Sequence, residues 1–160
     1  MDNKTTIEFV NHASVLISYN ETGILSDPWY SGEVFHKGWR LLYENEKDYI
    51  NEVLNKTSYI YISHEHPDHF HPRFFLDKNI KEKITKNKII FLFQKTRDKR
   101  VLNFLKKNDF NVKECELEKK ILIKGGIEVQ IFKHDFYDSS IFIKTPDAKI
   151  LNLNDCPLRE

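Results

Sequence analysis

Four of the chain's seven histidines, His64, His66, His69 and His71, fall within eight positions, with Asp68 among them. Neutral imidazoles beside a hard carboxylate are donors suited to zinc, iron or manganese. The order Ser63-His64-Glu65-His66-Pro67-Asp68-His69 excludes two simpler sites. A helical H-E-x-x-H zinc site needs histidine at position 68, where Asp68 stands, and Pro67 argues against the helix. A structural zinc finger needs paired cysteines, and none is near. What remains is H-x-H-x-D-H in loop geometry. In extended backbone, residues two apart leave on one side, so His64 and His66 share a face and Glu65 points away. Asp68 and His69 follow a proline bend and can face a second point in space.

A loop of this kind needs rigid elements to hold it. The β-rich run Ser58-Tyr59-Ile60-Tyr61-Ile62 delivers the chain straight into the cluster. Upstream, Thr6-Ile7-Glu8-Phe9-Val10 alternates and Ser14-Val15-Leu16-Ile17-Ser18 is a buried-type run. Gly23-Ile24-Leu25-Ser26 is short and apolar before Asp27-Pro28 ends it. A helix is predicted over 44–55, where Tyr49, Ile50, Val53 and Leu54 share one face. Pro72 can open a second helix with Phe74, Phe75 and Leu76 packing inward. The lysine-rich stretch 78–88 reads as a solvated helix face, and 88–93 as a strand. Thr96 is expected to cap a helix to Lys107 whose buried stripe is Val101, Leu102, Phe104 and Leu105. Strands follow at 112–115, 120–123, 126–132, 140–143 and 149–153, with Gly125-Gly126 turning between the second and third. Strands, then strand–helix alternation, then strands predict an α/β layered domain with a mixed sheet.

Composition narrows the class. At 160 residues one domain is expected, spanning 1–160. The 25 Lys+Arg against 24 Asp+Glu leave +1, without the basic footprint of a nucleic-acid binder. Hydrophobic residues at 40% and aromatics at 13% suffice for a core. No apolar run reaches the ~20 residues of a membrane-spanning helix. Met1-Asp2-Asn3-Lys4-Thr5-Thr6 lacks the layout of a signal peptide. Cys115 and Cys156 make no disulfide framework and are expected to be unreactive, which fits a cytoplasmic location. Trp29 and Trp39 read as core packing rather than a substrate platform.

The histidine segment resembles the signature of the metallo-β-lactamase-fold superfamily, whose members are mostly binuclear metallohydrolases. The resemblance implies that His64 and His66 bind a first metal and that Asp68 and His69 bind a second. His134, ending the strand-like run 127–133, would complete the first site, and Asp155, after the run 149–153, would bridge both ions. It also implies an αββα sandwich, of which this chain would be mainly the N-terminal half. Zinc, one or two ions, is the implied cofactor, with iron or manganese as alternatives. Asp68 would double as acceptor of the proton of the attacking water.

Asn11-His12-Ala13-Ser14-Val15-Leu16-Ile17, Leu25-Ser26-Asp27-Pro28-Trp29 and Phe35-His36-Lys37-Gly38-Trp39 are similar to one branch of that superfamily. It holds ascorbate-6-phosphate-lactonase-like proteins and the metal-binding domain of CMP-N-acetylneuraminate hydroxylase-like proteins. His134-Asp135-Phe136-Tyr137-Asp138-Ser139-Ser140 and Leu151-Asn152-Leu153-Asn154-Asp155-Cys156 look closer to the second group. His12 and His36 read foremost as ordinary polar residues, His12 approaching the site only by analogy with the branch. Asp27 is expected to accept the outer N–H of a ligand histidine.

The family's late fifth-motif histidine is absent, since none follows His134, so the second site is expected to be one ligand short. The Cys/His pairs of a Rieske centre are absent too, leaving hydroxylation by this chain alone unsupported. Two functions remain: a hydrolase of a small ester, lactone or phosphodiester, sugar-derived substrates included, or a metal-binding module without independent catalysis. The expected partner is a small molecule, with no nucleic acid or membrane. Self-association, or completion by a C-terminal half, would cover exposed Phe132, Phe136 and Phe142.

Overall fold

A computed structural model describes residues 4–157; Met1–Asn3, part of the N-terminal stretch read above, and residues 158–160 lie outside the described residues. Three antiparallel strands come first, β1 (Thr6–Asn11), β2 (Ser14–Tyr19) and β3 (Thr22–Ser26). A small hairpin, β4 (Glu33–Val34) with β5 (Trp39–Arg40), precedes helix α1 (Lys47–Lys56). Strand β6 (Tyr59–Ile62) then enters parallel to β3 and runs into the histidine loop. Helices α2 (Pro72–Leu76) and α3 (Lys78–Lys86), strand β7 (Ile90–Gln94), helix α4 (Arg100–Lys107) and strand β8 (Asn111–Cys115) follow. The last strands are β9 (Ile121–Leu122), β10 (Glu128–His134), β11 (Asp138–Lys144) and β12 (Lys149–Asn152).

These strands make two layers. A six-stranded mixed sheet has the order β1-β2-β3-β6-β7-β8, and a four-stranded antiparallel sheet the order β12-β11-β10-β9. The pleat of β6 explains how one strand serves two cores. Ile60 and Ile62 face the helices, packing in one cluster with Val53, Leu54, Phe75 and Leu105. Tyr59 and Tyr61 face the second sheet, in a cluster with Val129, Ile131, Ile141 and Ile143. Strands buried on both faces carry continuous apolar runs, and every residue of β3 and β6 is buried. The architecture is helices on sheet on sheet, with the mixed central sheet expected from the sequence. Among the described residues, no helix is long and apolar enough to cross a membrane.

Two helix starts and the placement of Trp39 differ from the sequence expectation. Helix α1 starts at Lys47, not at residue 44, because the two preceding side chains are committed to the loop. Glu44 Oε1 accepts from the Gly32 amide at 2.8 Å, and Asn45 Nδ2 donates to the Val10 carbonyl at 3.1 Å. Helix α4 starts at Arg100 rather than after Thr96. The Thr96 hydroxyl is spent on the Asp98 carbonyl, and Asp98 Oδ1 accepts from the Arg100 amide at 2.8 Å. Trp39 lies on the β5 hairpin and is 54% exposed, whereas Trp29 is core at 1%. Of the three phenylalanines expected at the surface, Phe136 is 90% exposed and Phe132 and Phe142 are half-buried.

Candidate metal centre

Strand direction decides where the chemistry gathers. Strands β1, β3 and β6 share one direction, so their C-terminal ends lie along one edge of the mixed sheet. His12 sits in the turn after β1, Asp27 directly after β3, and Ser63 through His69 after β6. In the second sheet β10 and β12 share a direction, and His134 ends the one while Asp155 follows the other. Carboxyl-terminal strand ends are where α/β sheets hold their ligands.

Two groups of three potential ligands stand at this edge. The donor atoms of His64, His66 and Asp155 lie within 4.8 Å of one another, as do those of His12, Asp68 and His69. The groups adjoin, with the His64 and His69 rings 4.2 Å apart. Asp155 Oδ2 is 3.9 Å from His64 Nε2 and 3.3 Å from His69 Nε2, so this carboxylate stands between the groups. Asp68 Oδ2 is 3.5 Å from His69 Nε2 and 3.1 Å from His12 Nε2. His12, read from the sequence as an ordinary polar residue, is thus drawn into the cluster.

A buried network orients the rings from behind. Asp27, 1% exposed, accepts from the Ser63 amide at 2.8 Å and from the Ser63 hydroxyl at 2.7 Å. Its Oδ2 also accepts from His69 Nδ1 at 3.0 Å, the role expected of it. His64 Nδ1 lies 3.0 Å from Ser63 Oγ and 3.3 Å from Asp138 Oδ1. With Nδ1 of each ring engaged in this way, Nε2 faces the centre. Burial works against a charge on His69, but Asp27, then Asp155 and Asp68, outweigh it and raise the pKa to about 9. Burial, followed by the neighbouring His69 charge, lowers that of His64.

The donor set fits a cation by a direct criterion. His64 Nε2, Asp68 Oδ1 and His69 Nε2 are buried and have no hydrogen-bond partner. A buried polar atom left unpaired costs about 1–3 kcal/mol. Three such atoms, one in the first group and two in the second, set a penalty that divalent ions would offset, and His/Asp donors suit zinc, iron or manganese.

The remaining histidines and acids lie outside the two groups. His134 Nε2 is 3.3 Å from Ser140 Oγ. His71 is buried and its Nδ1 donates to the Pro67 carbonyl at 3.2 Å. Glu65 accepts from Arg100 at 2.5 Å, consistent with its turning away from the histidine face. Aromatic rings flank the centre: Tyr137 lies 5.0 Å and Phe35 6.1 Å from His66, and Trp39 6.4 Å from His12. Sequence reasoning missed this wall because two-residue strands carry no periodicity. A cavity of about 340 Å³ between α1 and α2, lined by Tyr30, Lys47, Arg73 and Phe74, includes none of the six grouped residues.

Comparison with known proteins identifies the family and the fold. The model of the family described as beta-lactamase superfamily domain matches residues 6–133. Cytidine monophosphate-N-acetylneuraminic acid hydroxylase of Danio rerio is 36% identical over 64 residues, 40% of this chain and 11% of that protein. CmlA, a diiron β-hydroxylase from Streptomyces venezuelae, superposes with TM-score 0.67 at 18% identity, over 97% of this chain and 30% of its own. A metallo hydrolase from Ignicoccus hospitalis gives TM-score 0.65 at 15% identity, over 97% and 62% respectively. At such identities the solved structures establish the fold, and they extend well beyond the part matched here. The family model covers most of the chain, from the start of β1 to Lys133 in β10, and the chain belongs to the beta-lactamase superfamily domain family, with the metallo-β-lactamase fold.

Proposed function

We propose that the chain carries a metal centre that hydrolyses a small ester, lactone or phosphodiester, sugar-derived substrates included. His64 and His66 hold one ion, Asp68 and His69 face a second, and Asp155 stands between them. Zinc is the proposed ion, with iron and manganese accepted by the same donors. The observation that supports this reading is that two adjoining groups of potential ligands at one sheet edge include three buried donor atoms without a hydrogen-bond partner. A bound divalent ion supplies Lewis-acid polarisation and an acidified water. Asp68 Oδ1 makes no hydrogen bond within the protein, and Asp68 is the proposed acceptor of the proton of the attacking water. Asp27 and Ser63 hold the His69 and His64 rings in register. The faces of Phe35, Trp39 and Tyr137 offer a sugar ring or an apolar acid a place to rest.

The test begins with elemental analysis of chain purified without chelator, beside His66→Ala. Hydrolysis of p-nitrophenyl acetate, a γ-lactone and bis-p-nitrophenyl phosphate is then followed before and after chelation. Stoichiometric metal that drops in the variant, with turnover lost on chelation and restored by the ion, is the expected result. Folded wild-type chain without metal would sink the proposal. A second reading, a metal-binding module without catalysis of its own, is favoured by the match to a hydroxylase of which it spans 11%. It predicts bound metal and no turnover on any of the three substrates.

A further inference from the structure

We infer that His12 is a metal ligand: with Asp68 and His69 it forms a three-residue site for a second divalent cation, beside the one held by His64, His66 and Asp155. The inference rests on the metal-centre reading above and adds to it a donor from a different element, 56 residues from Asp68.

The turn is built to aim this ring. His12 adopts φ +38°, a left-handed conformation few non-glycine residues take, and its amide donates to Asn11 Oδ1 at 2.8 Å. The Asn11 amide group in turn donates to the Tyr43 carbonyl at 2.9 Å and to Asn45 Oδ1 at 2.5 Å, fastening the turn to the segment before α1. The imidazole packs edge-on against buried Trp29, with ring centroids 5.1 Å apart. Strain and fastening together present Nε2 to Asp68 Oδ2 at 3.1 Å.

A plain histidine–aspartate pair would use the same contact, and accounting for the neighbours separates the two. Pairing satisfies one oxygen of Asp68 and leaves Asp68 Oδ1 and His69 Nε2 buried without a hydrogen bond, His69 Nε2 having only the carboxylate oxygens of Asp155 at 3.3 Å and Asp68 at 3.5 Å nearby. One cation among the three residues engages His69 Nε2, the Asp68 carboxylate and His12 Nε2 at once. Two imidazoles and a carboxylate also form a three-donor set with an open position, the pattern of catalytic zinc. The ligand class is therefore a borderline divalent ion, zinc above all, rather than calcium or magnesium.

The experiment titrates metal-free chain with Zn²⁺ by calorimetry, with elemental analysis after gel filtration, for wild type, His12→Asn and His66→Ala. Asparagine tolerates the left-handed turn but is too short to reach the site. Circular dichroism and the thermal midpoint check that each variant folds. Two ions per wild-type chain, one per His12→Asn chain, and loss of the other ion in His66→Ala are expected. Two ions in His12→Asn at unchanged affinity would overturn the inference and leave the metal-centre reading standing. So would a single wild-type ion that survives the substitution. No metal on the wild type would remove that reading and this inference together. A His12→Asn chain that fails to fold is replaced by His12→Gln, read by the same stoichiometry.

Discussion

Asp27 shows how much one buried carboxylate can organise. One oxygen accepts from the Ser63 amide, the other from the Ser63 hydroxyl and the His69 ring, so the start of the histidine loop and the His69 imidazole are fixed together. Replacing it by asparagine keeps the shape and the left-handed backbone at φ +37° but removes the charge. Loss of such an outer partner typically weakens metal affinity about 10–100-fold. Asp27→Asn should therefore fold as wild type yet surrender its ion to a chelator at correspondingly lower concentration. Unchanged affinity would show that Ser63 alone orients the rings. Cys115, at the end of the outermost strand β8 of the same sheet, offers a contrasting case. Burial pushes its thiol up to about 11, with the Lys113 charge opposing, and the reactive species is the thiolate. At pH 8 only about one thiol in a thousand would be ionised. Cys115 in folded chain should stay unlabelled by a disulfide reagent at pH 8 and react once guanidine unfolds the chain; prompt labelling of native chain would refute this.

At the scale of elements, the end of β6 is where the two sheets are fastened. The Ser63 carbonyl accepts from Gln94 Nε2 at 3.1 Å and from the Ser139 hydroxyl at 2.6 Å, and the Tyr61 hydroxyl lies 2.8 Å from Ser139 Oγ. Ser139→Ala leaves buried polar groups short of a partner, at a cost of about 1–3 kcal/mol. A fall of that size in urea stability, with weaker metal retention, is expected; loss of stability with metal affinity intact would make the contact purely structural. The legibility of the elements follows the same physics. Strands β3 and β6 were readable because burial on both faces leaves an uninterrupted apolar run. The H-x-H-x-D-H loop was readable because its donors are adjacent in sequence. The hairpin of β4 and β5 was not, since its conformation rests on left-handed residues at Phe35, His36 and Lys37 rather than on any pattern. His12 was undervalued for a related reason. Its place depends on which strands run parallel, although the hairpin turn after β1 falls at the same sheet edge as the end of β6.

For the whole molecule, the consequence is that the proposed centre adds a link between two sheets that also meet through their apolar faces, the Ser139 contacts and the Lys124 amide on the Tyr59 hydroxyl. Five of the six grouped residues belong to the first sheet's edge, while Asp155 follows β12 of the second. β12 is an edge strand without a buried residue, and the Asp155 side chain is 53% exposed, so this end of the structure has little protection of its own. A cation shared between Asp155 and the histidines would act as a clamp across the layers. Binding to the folded state alone stabilises by about 2.7 kcal/mol at a free ion concentration of 100 times Kd. That is worth roughly 5–11 °C in the thermal midpoint for a chain of this size. Chelation should therefore lower the midpoint by several degrees, and it should do so unevenly. Hydrogen exchange is expected to quicken first in β12 and in the adjoining part of β11, while amides of β3 and β6 keep their protection, since local openings draw on the least-buried elements. Equal acceleration in both sheets would mean that the ion stabilises the fold as a whole rather than acting as a local clamp on β12. Protection of β12 that ignores chelator, in a chain shown to hold metal, would place the ion wholly on the first sheet.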